Sequence, residues 1–193
     1  MPDGFEVFLS HAQEDFQLVY RVWGILYRLN VATYMHELYP NYRQDISTGI
    51  RDVLKKCVMC IAFLTRYGIN SQWVQQELGI AYAFGRVIVP VVEDEVEYKG
   101  FVQMIRQIPY QAQNPDEMIY QVIHAVRHHV MQRYDAVESR LALTCPSDHE
   151  NSYTLPSNPE IFHAINAGKA FVIKCLTCGA EMHVSPQTLE IVP

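Results

Sequence analysis

The chain of 193 residues has no run of lysines or arginines and carries a net charge of −6. It therefore offers no basic stripe for a nucleic-acid backbone. No window approaches the ~18 uninterrupted apolar residues that a membrane span requires. The opening stretch, MPDGFEVFLS, lacks a basic segment and has too short an apolar run for a secretion signal. Cysteine is scarce and odd in number, at five. Without a secretion signal this argues against a disulfide framework and leaves free thiols or metal ligands. Charged residues make up only 19% and apolar ones 49%, which excludes global disorder and supplies a core. The expectation is a soluble, cytoplasmic protein with neither a nucleic-acid nor a membrane partner. Its length fits one ordinary domain plus a small module, or one large domain.

What is present alternates. Phe5 to Leu9 (FEVFL) reads as a strand that exits at Ser10-His11. Phe16, Val19, Trp23, Leu26 and Asn30 recur at helical spacing and predict an amphipathic helix over 13–30. VATYM (31–35) reads as a second strand, followed by the polar loop HELYPNYRQD with Pro40 as breaker. Ile46, Ile50, Val53 and Leu54 mark a second helix. VMCIAFLT (58–65) is a continuous apolar run, the pattern of a central parallel strand covered on both faces. A third helix over 71–85 leads to RVIVPVV (86–92), another buried strand with Pro90 near its end. Residues 94–114 are less regular. Residues 114–134 form a strong helix with Ile119, Val122, Ile123, Val126 and Val130 on one face, extending as far as Leu141. His128 and His129 are adjacent, point in different directions, and read as solvated surface.

This order predicts an α/β fold of flavodoxin-like type, a parallel sheet with helices on both faces. In such sheets ligands bind beyond the carboxyl ends of the strands. Ser10-His11, the tyrosine-rich loop and the approach to Trp73 all follow strands, so they gather at one rim. Within the third helix, SQWVQQELGIAYAFG, Val74, Leu78, Ala81 and Tyr82 form an apolar stripe, while Trp73 and Glu77 share a second face. Two readings of Glu77 stay open: a surface glutamate favoured by the helix dipole, or an active-site carboxylate at the crevice. A phospho-receiver shares the alternation, but the strand ends Leu9-Ser10 and Leu64-Thr65 lack its phosphorylatable aspartate.

FEVFLSHAQED resembles the opening box of TIR domains, a first strand ending in Ser-His and then an acidic stretch. YMHELYPNYRQDISTGI sits where that family has its BB loop and second helix. VMCIAFLTRYGINSQWVQQEL is similar to its third strand and following helix, including the Trp-Val-x-x-Glu-Leu element. RVIVPVV occupies the place of its fourth strand, and the likeness spans about residues 4 to 135. The resemblance implies an NAD+-cleaving enzyme with Glu77 as the required glutamate and Trp73 as a stacking wall of the pocket. It implies nicotinamide plus ADP-ribose or a cyclic ADP-ribose isomer as products, the latter a signal to an effector in antiviral defence. It also implies self-association, with the BB loop of one copy completing the pocket of the next. A non-catalytic scaffold acting by homotypic docking is the alternative, and a nucleoside ribosyltransferase is a lesser enzymatic one. Ser10, His11, Tyr39 and Tyr42 are further pocket candidates, for which ordinary packing or turn capping stands equally open. Arg43 is a candidate phosphate contact or a solvated loop residue.

From Thr144 the composition shifts to Pro, Ser, Asn, Thr and Cys, placing a boundary between a TIR unit at 1–141 and a module at 142–193. LTCPSDHENSY and VIKCLTCGAEM, with 25 residues between His149 and Cys175, look like the two knuckles of a β-rich zinc ribbon. Cys175-x-x-Cys178-Gly turns both thiolates toward one ion. The first half has Cys145, then Asp148 and His149; His149 ranks third after the thiolates, with His163 and His183 as substitutes. Asp148 suits a soft site less well. Structural Zn2+ on Cys145, His149, Cys175 and Cys178 is weighed against reduced, unliganded thiols. Cys57 and Cys60 have the same gap, but lie where an apolar strand begins and read as core.

Overall fold

The computed structural model describes residues 5–39, 46–130 and 140–193. Five parallel strands form one sheet: β1 (Val7–Ser10), β2 (Thr33–Tyr34), β3 (Met59–Leu64), β4 (Val87–Glu93) and β5 (Ile108–Tyr110). They lie in the order β2-β1-β3-β4-β5 and are joined through α1 (Phe16–Arg28), α2 (Ile46–Lys56) and α3 (Gln72–Ala83), with α4 (Pro115–His129) following β5. The flavodoxin-like expectation is met. β3 sits at the centre and is buried along its whole length, which is why its sequence shows no polar alternation.

The pleat sorts the strand side chains into two cores. Val7, Leu9, Met59, Ile61, Phe63, Val89 and Val91 pack with Val19, Val22 and Leu26 of α1 and Ile119, Val122 and Val126 of α4. Phe8, Cys60, Ala62, Leu64, Ile88 and Val92 pack with Ile50 and Leu54 of α2 and Val74, Leu78 and Ala81 of α3. Cys57 and Cys60 are core residues, as their apolar neighbours suggested. Ser10 has the parity of Phe8 and so points to the α2/α3 side, opposite Ala62 in the register.

Several boundaries differ from the periodic reading. Residues 13–15 make a 3-10 turn before α1, and Asn30 closes that helix in a left-handed conformation (φ 57°). β5 was not expected: three residues containing a proline give no alternation to read, and as the edge strand it tolerates Pro109. The helix expected to run to Leu141 ends at His129, and Arg140–Thr144 is a strand, β6. Tyr82, placed on the buried stripe of α3, is 61% exposed and rests on Phe101 at the surface, with ring centroids 4.5 Å apart.

β6 pairs antiparallel with β7 (Glu150–Thr154), and β8 (Phe171–Lys174), β9 (Glu181–Val184) and β10 (Ile191–Val192) form a three-stranded sheet in the order β10-β9-β8. Between them lies a helix that the composition did not suggest, α5 (Asn158–Asn166), opened by a capping box of Ser157 and Glu160. This region shares the α1/α4 core through Leu141, Leu143, Leu155, Met182, Val184 and Leu189. Glu190 pairs with Arg21 at 2.9 Å and approaches Arg28 to 3.7 Å, and Arg127 Nη1 donates to the Pro156 carbonyl at 2.9 Å.

The exit of β3 is closed by a tight turn. Thr65 Oγ1 accepts from the amides of Tyr67 (3.1 Å) and Gly68 (3.0 Å) and donates to Asp15 at 2.7 Å. A methyl group on Gly68 would stand 1.9 Å from the Phe63 carbonyl oxygen, so the chain must move to admit it. Gly68→Ala is expected to lower the unfolding free energy by about 2–3 kcal/mol, read by urea denaturation.

Candidate functional site

α3 starts at Ser71, whose hydroxyl accepts from the Val74 amide at 3.4 Å. Burying Val74, Leu78 and Ala81 against the sheet fixes the helix rotation. That rotation carries Glu77, three residues after Val74, to the flank facing the exit of β1. There Ser10 Oγ donates to Glu77 Oε2 at 2.6 Å. Glu77 is 6% exposed and Ser10 is fully buried. Chain order reverses between β1 and β3, so this contact lies at the topological switch point. The surface reading of Glu77 is excluded by its burial.

Burial raises the Glu77 carboxyl from 4.5 to about 7; the Ser10 hydroxyl opposes the rise and the nearby Glu37 carboxylate adds to it. A buried acid poised near neutrality is a pattern found at functional sites. Around it stand groups that the sequence did not single out. Tyr34 stacks on Phe8 and Tyr39, with centroids 5.2 and 5.7 Å apart, and its phenol is pushed up by burial and by Glu77 and Glu37. Phe5 packs edge-on against both Tyr34 and Tyr39. Glu37 lies in a 3-10 turn after β2. Within a polar loop nothing in its spacing marked it.

The predicted residues fare differently. Ser10 meets Glu77 directly. His11, with a side chain 3% exposed, places Nδ1 3.2 Å from the Leu9 carbonyl and Nε2 3.3 Å from Glu37 Oε1, where Nε2 makes no aligned hydrogen bond. Tyr39 belongs to the aromatic group beside Tyr34. Trp73 is 51% exposed, one turn before Glu77 on the same helix. Tyr42 and Arg43 lie outside the described residues.

On the other side of the rim, Asp15 is buried under the Thr65 hydroxyl, and desolvation raises its carboxyl. Glu93 is paired to the backbone and guanidinium of Arg66, chiefly through the side-chain hydrogen bond, which holds its carboxyl below the usual range. Glu93 is neutralised by a cation, whereas Asp15 and Glu77 are each held by one hydroxyl and each raised by burial.

The linkage follows from the raised value. Between pH ~4.5 and ~7 the folded chain keeps a proton on Glu77 that the unfolded chain has released. Stability therefore falls as pH rises through that window, with the full cost present above it. In Glu77→Gln this fall should be absent. The variant is expected to gain on the order of 2–3 kcal/mol over the parent between pH 5 and pH 8, measured by urea unfolding at both.

The second constellation is in the C-terminal region. Ligand atoms of Cys145, His149, Cys175 and Cys178 all lie within 4.8 Å of one another. Cys145 Sγ is 3.8 Å from Cys178 Sγ and 3.5 Å from His149 Nδ1. A tetrahedral Zn2+ with ordinary Zn–S and Zn–N bonds requires about 3.8 Å between sulfurs and about 3.5 Å between sulfur and nitrogen. The donors fit. Ser147 N and Asn151 Nδ2 donate to Cys145 and Cys175 sulfurs at 3.3 and 3.4 Å. The Cys178 amide, aimed at Cys175, brings that thiol down to about 6, toward the thiolate a metal needs. Asp148 takes a left-handed turn (φ 63°) that presents His149, and Gly179 (φ 75°) closes the second knuckle. Among the described residues Asp148, His163 and His183 are not in this cluster. The Cys/His cluster fits a zinc-ribbon-like module.

A TIR domain family model matches residues 7–122. No curated protein sequence matches the chain. Among solved structures, the TIR domain of the Toll-related receptor TRR-2 from the lower metazoan Hydra magnipapillata superposes with a TM-score of 0.55 at 14% identity, covering 63% of this chain and 96% of that one. A metazoan TIR-STING receptor from C. gigas, solved with 2',3'-cGAMP, gives a TM-score of 0.52 at 15% identity. It covers 69% of this chain, which spans about half the length of that receptor (47%). At these identities the likeness is one of fold.

Proposed function

The chain belongs to the TIR domain family, and on that premise we propose that it is an NAD+ nucleosidase that breaks the nicotinamide–ribose bond. The observation that carries this reading is Glu77, buried at the switch-point rim, held by one hydroxyl and poised near neutrality. The chemistry suits so sparse a site. The electron pair of the C1'–N bond leaves with the pyridine nitrogen, and nicotinamide departs neutral, so no general acid has to protonate it. Positive charge grows on C1' and the ring oxygen, as in other glycosyl transfers.

Ionised Glu77 would accept hydrogen bonds from ribose hydroxyls and stabilise that charge, help worth about 3–4 kcal/mol in a water-poor site. A cationic substrate favours the ionised form, pulling Glu77 below its resting value. Trp73, with its open ring, supplies a stacking surface for nicotinamide or adenine. Ser10 orients Glu77, while His11, Tyr39, Tyr42 and Arg43 complete the pocket wall and the phosphate contact. Water attack gives ADP-ribose; attack by a nucleophile of the same molecule gives a cyclic isomer, a signal for an effector in antiviral defence. Self-association through TIR–TIR contacts controls turnover in this reading, with the protein acting in the cytoplasm. Among the described residues no helix is long and apolar enough to cross a membrane.

In the same reading residues 1–141 form the catalytic unit, and residues 142–193 form a module held by one structural Zn2+ on Cys145, His149, Cys175 and Cys178. Four protein ligands leave the ion no open position, so its chemistry is confined to holding the knuckles together.

Incubation with NAD+ at high protein concentration is expected to release nicotinamide, resolved by chromatography and mass. Glu77→Ala should cut kcat/KM by at least about 100-fold while remaining folded. Equal turnover in the variant refutes the assignment, and silence of the parent under crowding leaves the docking scaffold. Metal analysis of the purified chain should give one zinc per chain, lost in Cys175→Ser and kept in Cys57→Ala.

A further inference from the structure

A cavity lies away from the Glu77 rim, where the sheet starts and not where it ends. β5 pairs with β4 only from Val91 onward, so the amino half of β4 has no β5 beside it. Next to that gap is a cavity of about 600 Å3, lined by Val89 and Ile108, by Arg106 and Gln107 on the approach to β5, and by one face of α4. Its size suits a small organic ligand.

The fold sorts the polar groups of this cavity into two ends. α4 leaves the carboxyl end of β5 and runs back along the sheet, which brings its last turns to the level of the residues that precede β5. His124, His128 and His129 therefore share one end with Arg106, while Glu117 lines the other. Along the helix axis Glu117 is about 10–18 Å from the three imidazoles. Its carboxylate is engaged by Gln121, whose amide donates to Oε1 at 3.0 Å. Arg106 is exposed and enters no ion pair or hydrogen bond among the described residues. In a chain with 21 acidic side chains against 15 lysines and arginines, a guanidinium left without a carboxylate beside a cavity is available to a ligand.

The same groups define the chemistry of that ligand. The imidazoles do not converge on a metal ion: among the described residues the side chains grouped to hold one are those of the Cys/His cluster. Spread along a helix, they serve an extended ligand. Burial and the neighbouring His128 hold His129 toward its neutral form, so the guanidinium is the standing charge and the imidazoles offer hydrogen bonds. The carboxyl-terminal dipole of α4 opposes an anion with about half a charge, which the full charge of Arg106 outweighs. The planar fork of an arginine matches two phosphate oxygens. Tyr120, half-buried with its ring centroid 6.4 Å from that of His124, adds an aromatic surface between the two ends.

We infer that this cavity binds a phosphomonoester of nucleotide size, its phosphate held by Arg106 and the imidazole end and its polar far end by Glu117 and Gln121. The site stands apart from the reading of Glu77.

The test is calorimetric titration of the full chain with AMP, adenosine serving as the control that lacks the phosphate. AMP is expected to bind, and adenosine to bind at least about 10-fold more weakly. Arg106→Gln should weaken AMP by about 10- to 100-fold. Its urea midpoint should match the parent's, since the side chain is exposed and unbonded. Glu77→Gln should bind AMP as the parent does. Equal affinity for AMP and adenosine, no binding at millimolar AMP, or AMP binding lost in Glu77→Gln and kept in Arg106→Gln overturns the inference. Vesicles containing phosphatidic acid present the same group from a membrane, and co-sedimentation with them in the absence of AMP binding overturns it as well. None of these readouts uses turnover, so failure here leaves the NAD+ reading standing, and absence of nicotinamide release leaves this site standing.

Discussion

Ser10 Oγ and Glu77 Oε2 meet 2.6 Å apart where both residues are withdrawn from water. A carboxylate so placed resists ionisation, because one neutral hydroxyl does not replace the hydration it has lost. For a structural role the arrangement is poor: an alanine and a leucine would pack there at lower cost. Its cost is intelligible if the buried charge is wanted at that spot, where the strand order reverses. The surrounding structure follows from holding it. β3 must be wholly apolar to seat β1 beside it, Ala62 must be small to leave room opposite Ser10, and α3 must bury Val74, Leu78 and Ala81 so that Glu77 swings toward β1 and not toward solvent.

The neighbouring acids make the contrast sharper. Glu93 is held by the Arg66 backbone and guanidinium and stays ionised; Asp15 accepts from Thr65 inside a turn that Gly68 permits. Both are accounted for by the stability of the loops they close. Glu77, like Asp15, has a hydroxyl partner that does not neutralise it, and the Glu37 carboxylate adds repulsion at Glu77. The local field is thus arranged to keep a proton loosely held, the property a group needs if it is to ionise when a cationic ligand arrives.

Much of this was legible in the residues and some was not. Four of the five parallel strands announced themselves because burial on both faces, or periodic helices between them, left long apolar signatures; β5 did not, since Ile108-Pro109-Tyr110 is too short to show a period. α5 escaped notice behind a polar composition, although Ser157 and Glu160 carry a capping box that the spacing already spelled out. Helical geometry put Trp73 and Glu77 on one side of α3, but could not say that one would be open and the other closed, because that depends on what β1 brings alongside. Glu37 was invisible for the same reason: its meaning comes from His11, 26 positions earlier in the chain. The knuckle cysteines were legible because a two-residue gap followed by glycine encodes the turn itself.

β1 joins the two halves of the molecule physically. Its odd residues, Val7 and Leu9, enter the core shared with α1, α4 and the C-terminal sheet; its even ones, Phe8 and Ser10, face α2 and α3. The metal-ligand knuckles share that first core through Cys145 and Cys175, and Glu190 ties the same region to Arg21 and Arg28 on α1. Reinforcement and the candidate site therefore sit on opposite faces of one strand. A shift of β1 along its axis would break the contact between Ser10 and Glu77, and the contact between His11 and Glu37, before it exposed much apolar surface. The C-terminal sheet and the pairs of Arg21 and Arg28 with Glu190 resist that shift from the opposite face. On this view the C-terminal region matters to the candidate site without touching it: it keeps the strand that carries Ser10 and His11 in register with the acids those residues hold.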